Sequence, residues 1–197
     1  MALVTRRGRN DCMVRWLRVL MAWTLVSGLP AVSLTAAVLG EYEAKAGFLY
    51  HCGWFVDWPE TAVQSREPSF IIGVLGVNPF GSVLDDIMRD KTIRERPVVV
   101  KYYQRTEDAV SSRILFISAS EAPRLPSILA VLDRTSVLTV SDLGRFTERG
   151  GMIGLRIVDQ KVHFDINVDA TGRAGLKLSS QFLKLAKVIH GTVRVGE

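Results

Sequence analysis

The chain has 197 residues, with 25 Lys and Arg against 20 Asp and Glu, a formal net charge of +5. The excess is local: Arg6, Arg7, Arg9, Arg15 and Arg18 precede Val19, and without them and Asp11 the 25 and 20 become 20 and 19. That near-neutral remainder carries no argument for nucleic-acid binding, which needs a retained basic patch, and its single cysteine excludes an intrachain disulfide framework.

In chain order, the arginines are followed by an uncharged stretch from Val19 to Gly40. It opens apolar and closes on small residues, Ser33, Thr35, Ala36, Ala37 and Gly40. A positive start, an apolar middle and a small-residue exit predict a secretory signal peptide over residues 1–40, cleaved at about 37–41. Gly28 and Pro30 suit the break before a cleavage site better than the middle of a spanning helix. The alternative is an uncleaved signal anchor. Cys12 precedes the apolar stretch, which argues against a lipoprotein anchor. The remaining residues, 41–197, suffice for one domain with a full core.

Tyr42 to Trp58 has helical spacing, with Phe48/Leu49, Cys52 and Phe55/Val56 every three to four residues, and Pro59 ends it. Cys52 on that stripe is expected to be buried, the alternative being a disulfide that joins two chains in a homodimer. Phe70 to Leu75 is a continuous apolar run, expected as a strand covered on both faces. Asn78-Pro79 predicts a helix start, with Asn78 as N-cap and the helix carrying Val83, Leu84, Ile87 and Met88. Pro97–Tyr103 reads as a strand, Thr106–Ser111 as a short helix, and Arg113–Ile117 as a second buried strand. Ser120 is positioned to cap a helix running to Leu132, and Val137–Val140 is the next strand.

From Ile153 the period falls to two: Ile153, Leu155 and Ile157, then Val162, Phe164, Ile166 and Val168, with Asp159-Gln160 between them. This predicts an antiparallel hairpin at one edge of the sheet. The segment from Ala174 to His190 reads as an amphipathic helix, with Leu178, Phe182, Leu185 and Ile189 on one face. The expected fold is one α/β domain. Its sheet is largely parallel and flanked by helices, with a hairpin at one edge and a C-terminal amphipathic helix.

Catalytic signals are weak. His51, His163 and His190 lack partners at a metal spacing, and there is no Gly-x-Ser-x-Gly elbow. Gly73, Gly76 and Gly81 fit neither a dinucleotide fingerprint nor a P-loop. Ser179-Ser180 is expected to pack against the sheet. No catalytic residue, metal or cofactor is therefore assigned. The segment from Ser141 to Met152 stands out, with Asp142, Arg145, Phe146, Glu148 and Arg149 followed by Gly150-Gly151. It follows a predicted parallel strand, where ligand sites of α/β domains gather. Asp142, Arg145, Phe146, Glu148, Gly150 and Gly151 are the candidate partner- or ligand-binding residues. The competing reading is a solvated loop that tucks Phe146 into the core.

Several segments in order resemble the YfiR-like family of bacterial periplasmic proteins. They are Tyr42–Tyr50 with Trp58-Pro59, Gly76–Gly81, Ile114–Ser118 with Ser120-Glu121, and Leu138–Asp142. Phe146 with Gly150–Ile153, Phe164–Asn167 and Ala174–Ser180 complete the set. The resemblance implies a non-enzymatic repressor that binds the periplasmic domain of a membrane-bound diguanylate cyclase. By that route it would restrain cyclic-di-GMP synthesis and biofilm formation. It also implies a possible outer-membrane lipoprotein as a second partner. Family members with intramolecular disulfides differ from this chain, so redox gating by such a bridge does not carry over to Cys52. The alternative function is a periplasmic small-ligand sensor.

Overall fold

A computed structural model of the protein describes residues 34–62, 67–159 and 161–189. The first helix, α1 (Leu34–Phe55), begins within the expected signal segment, the rest of which lies outside the described residues. The chain divides into a unit ending at Ala36 and a unit from Ala37 to Glu197; the contacts below belong to the latter. Ala46, Leu49 and Cys52 repeat at helical spacing and are fully buried, as is Val56 just after the helix, so Leu49 and Cys52 of the predicted stripe lie on the core face of α1. Burying a side chain such as Leu49 contributes about 1.5–3 kcal/mol.

After α1 come β1 (Val56–Asp57), β2 (Phe70–Leu75), α2 (Val83–Met88), β3 (Thr92–Ile93) and β4 (Arg96–Tyr103). A 3-10 turn (Glu107–Ser111) leads to β5 (Ile114–Ile117), and a second (Ala119–Arg124) leads into α3 (Leu125–Leu132). The chain continues through β6 (Leu138–Ser141), β7 (Ile153–Val158), β8 (Lys161–Asn167), α4 (Val168–Arg173), β9 (Lys177–Leu178), α5 (Ser180–Leu185) and β10 (Lys187–Ile189). The main sheet has the order β10-β8-β7-β6-β5-β2-β4-β3. Neighbours from β4 through β7 are parallel, β7 and β8 form the antiparallel hairpin, and β10 joins β8 in parallel. The fold is the expected single α/β domain, its mostly parallel sheet carrying helices and an antiparallel hairpin. All residues of β2, β5 and β6 are buried, and β2 and β5 are the continuous apolar runs expected of strands covered on both faces.

One face carries α1, with Phe70, Ile72, Val74, Ile114, Phe116, Leu138 and Val140 in the larger core. Phe48, Phe55, Phe164 and Phe182 form an aromatic cluster there, Phe55 and Phe182 stacking at 5.4 Å. The other face carries α3, whose Leu125, Ile128 and Leu132 pack on Leu75, Leu115 and Ile117.

Several local expectations change. Asn78 does not cap α2. Its Oδ1 accepts from Phe80 N at 2.8 Å and its Nδ2 donates to Gly81 O at 2.9 Å, closing a side-chain turn, and the helix starts only at Val83. Ser120 lies inside the 3-10 turn, and its Oγ accepts from Val77 N at 3.0 Å. The hairpin is not outermost, because β10 covers β8. The helix expected over 174–190 is confined to α5. Lys177 and Leu178 pair antiparallel with Asp57 and Val56, and Lys187–Ile189 pair with Asp165–Asn167. Strand pairing outcompetes the helical period here: Phe182 is buried, but Leu185 is 73% exposed. Ser179 is the N-cap of α5, its Oγ accepting from Phe182 N at 3.2 Å.

Candidate functional site

β6 and β7 are parallel neighbours, so the chain leaving Ser141 must cross back over the sheet before it re-enters at Ile153. Such crossovers usually use a helix. Here the segment 142–152 is built from turns, and it closes with a helix-like stop. Gly151 N donates to Phe146 O at 3.0 Å and Gly150 N to Thr147 O at 3.3 Å. That pair of bonds, with Gly150 at φ +100°, is the left-handed glycine cap of a helix end. A crossover must cover the apolar face beneath it, and Phe146 supplies the cover. It is 1% exposed and packs in the core with Leu125, Ile128 and Leu132. Its ring lies directly over Gly151, where an added Cβ would come within 2.2 Å of a ring carbon.

The crossover is fixed at both ends by buried polar groups. Ser141 Oγ donates to Ile117 O at 2.7 Å and accepts from Leu143 N at 3.1 Å. Asp142 Oδ2 meets Lys45 Nζ of α1 at 2.6 Å. Lys45 is nearly buried, also pairs with Glu41 at 2.5 Å, and lies 4.5 Å from the centre of the Tyr42 ring. Burial works against its charge, but the hydrogen bonds it donates to Asp142 and Glu41 outweigh it and raise its pKa above the usual lysine value. At the far end Met152 N donates to Thr139 Oγ1 at 3.1 Å. Asn167, 1% exposed, uses both ends of its amide. Its Nδ2 donates to Thr147 O and its Oδ1 caps α4 at Ala170 N, both at 2.9 Å.

The six residues selected from the sequence therefore separate by role. Phe146 faces the core, Gly150 and Gly151 shape the backbone, and Asp142 is tied to α1. Arg145 and Glu148 face outward, with side chains 80% and 47% exposed, joined by an ion pair of 2.6 Å. Phe146 thus takes the core position of the competing reading, while the charged pair faces solvent. Lys45 and Asn167 were missed. Lys45 carried a signal, a charged residue between Ala44 and Ala46 and four residues after Glu41. Asn167 carried none, since it occupies the hairpin face that alternation assigns to solvent.

Beside the crossover lies a groove of about 790 Å³ between α3 and α4, lined among others by Leu129, Arg149, Gly150, Met152, Asp169 and Arg173. Asp133 pairs with Arg173 at 3.4 Å along its rim. Cys52 is buried and unpaired by disulfide, and burial pushes its thiol pKa far up. His51 and His163 are exposed, while His190 lies outside the described residues. Among the described residues no group of three His, Cys, Asp or Glu is placed to hold a metal, and no helix is long and apolar enough to cross a membrane.

The profile of the YfiR/HmsC-like family matches residues 42–187. The chain belongs to the YfiR/HmsC-like family. The match runs from Tyr42 in α1 to Lys187 in β10, so the crossover, Lys45 and Asn167 all lie within the family domain. Membership points to a regulatory role in the periplasm. No curated protein matches the chain.

Proposed function

We propose that the protein is exported to the periplasm, loses its signal peptide at about 37–41, and binds the periplasmic domain of a membrane-bound diguanylate cyclase. Bound there, it holds down cyclic-di-GMP synthesis inside the cell and so limits biofilm formation. An outer-membrane lipoprotein that sequesters it is the second partner of this scheme. The family match over residues 42–187 carries the reading. Repression follows if the protein prefers one conformation of the cyclase, because a partner shifts an equilibrium only by its differential affinity. The outward face of the crossover, Arg145 and Glu148, is the proposed docking surface.

Deleting the protein should raise cellular cyclic-di-GMP through one cyclase. R145E should weaken repression several-fold at unchanged thermal stability. An unchanged cyclic-di-GMP level after deletion removes the regulatory role, whereas full repression by an R145E/E148A double variant removes only the crossover from the docking face. The groove beside Arg149 and Met152 favours a second reading, a periplasmic sensor of a small ligand. Its size lies in the range of about 300–1,000 Å³ usual for small-molecule sites.

A further inference from the structure

At the amino-terminal end of the parallel strands lies a second cavity, of about 480 Å³. Its lining is Trp58, Glu60, Phe70, Ile93, Arg94, Arg96 and Arg113. We infer that this cavity binds a phosphate monoester, with Arg94, Arg96 and Arg113 on the phosphate and Trp58 beside the organic part.

Charge is the first ground. The described ionisable side chains lining the cavity are three guanidiniums and the exposed carboxylate of Glu60. Arg113 is only 7% exposed, and its guanidinium carbon lies 5.7 Å from the centre of the Trp58 ring and 5.6 Å from that of Phe70. Burial, then Arg96 and Arg94 nearby, lower its pKa, so Arg113 feels both neighbouring cations. A dianion relieves that repulsion, and a phosphate monoester is largely dianionic at neutral pH, with a second pKa of about 6. Guanidinium forks also match its oxygens.

Backbone is the second ground. Arg94 and Glu95 form the two-residue turn between β3 and β4, with φ of +50° and +65°. Such turns favour Asn-Gly, and non-glycine residues there cost about 1–2 kcal/mol each. The turn places Arg94 within it and Arg96 directly after it, both beside the cavity. Arg94 is held by Asp57 and by Val56 O at 3.1 Å, and Arg96 donates to Glu67 O. Volume and chemistry of the wall are the third ground. The space falls within the usual small-molecule range. Trp58, Phe70 and Ile93 give it an apolar side, and the buried indole N–H of Trp58 has no acceptor among the described residues. The cavity lies at the opposite strand ends from Ser141 and Asp142, so this site stands independently of the docking proposal.

The test is calorimetric titration of the processed protein with adenosine 5′-monophosphate, adenosine and inorganic phosphate. The monophosphate should bind at least tenfold more tightly than adenosine or inorganic phosphate, and added salt should weaken it. R113Q and R96Q should each weaken it at least tenfold. Arg96 is half-buried at the rim, so R96Q serves where R113Q fails to fold. Equal binding of adenosine, unchanged binding in a folded R96Q, or binding of neither the monophosphate at millimolar concentration nor phosphatidic acid vesicles would each overturn the site. Sedimentation with phosphatidic acid vesicles, lost in R96Q, sustains the site and assigns the monoester to a lipid headgroup. Binding of the soluble monophosphate without sedimentation sustains it and assigns a free ligand.

Discussion

Phe146 and Gly151 make a pair whose energetics can be separated. Removing the Phe146 ring by F146A leaves a hole in a fully covered layer, and Phe-to-Ala changes at such sites cost about 3–5 kcal/mol. For a domain of this size that is a fall in melting temperature of roughly 6–20 °C. G151A does the opposite, adding a Cβ at 2.2 Å from the ring. Overpacking of that kind costs about 1–3 kcal/mol. Gly151 is not in the left-handed region, unlike Gly150, so alanine fits its backbone. With the ring gone, G151A should therefore stabilise by about 0.4–1 kcal/mol, through the entropy of the unfolded chain. The sign of G151A thus reverses between the two backgrounds. Urea denaturation of the four proteins, followed by circular dichroism, measures the cycle. An equal cost of G151A in both backgrounds would refute the claim that the ring is what demands glycine at 151.

Other outcomes follow from the fixings of the crossover and from α1. K45M should cost about 2–3 kcal/mol, less than the roughly 3–5 kcal/mol of a fully buried pair, because Asp142 and Glu41 keep 17% and 38% side-chain exposure. Since folding raises the pKa of Lys45, its contribution is complete below the ordinary lysine value of 10.5 and is lost as pH rises through the folded value; wild-type stability should fall across that alkaline window, and K45M should show less of the fall. N167A removes an N-cap and leaves Thr147 O without its donor, so it should cost about 2–4 kcal/mol and speed amide exchange selectively over 147–152. The Cys52 thiol should resist alkylation until the protein unfolds, and rapid labelling of the native protein would contradict its burial. R145A and E148A should each change stability by less than about 0.5 kcal/mol, as exposed pairs do.

The sheet was legible because its strands state their burial in composition. Phe70–Leu75 and Ile114–Ile117 are apolar without interruption, and both are covered on both faces. The hairpin was legible from its period of two. The C-terminal segment was not, because Leu178, Phe182 and Leu185 keep a helical period. Pairing of Lys177–Leu178 with β1 and of Lys187–Ile189 with β8 is a long-range choice that no local pattern records. The crossover was half legible. Its charges and glycines marked it out, but the role of Phe146 depended on β6 and β7 being parallel. An antiparallel pair would need no covering return over the sheet. Asn167 was illegible for the same reason, since the crossover buries a position that would otherwise face water.

If the crossover docks a partner as proposed, its two sides divide the work. Inward, Phe146, the glycine cap, the hydrogen bond that Thr139 accepts and the one that Asn167 donates fix its shape, so a partner need not order it on binding. Ordering a mobile loop would subtract from affinity, about 0.5–1.5 kcal/mol for each immobilised side chain. Outward, Arg145 and Glu148 satisfy each other through an exposed pair that contributes about 0.3–0.5 kcal/mol. A partner with complementary charges can break that pair at little cost and engage both groups. Exposed charges act mainly on the rate of encounter. Docking at this face should therefore associate more slowly as salt rises, and R145E should change the association rate more than the dissociation rate. Loss of affinity confined to dissociation would mean that Arg145 is buried in the complex, and that the crossover moves on binding.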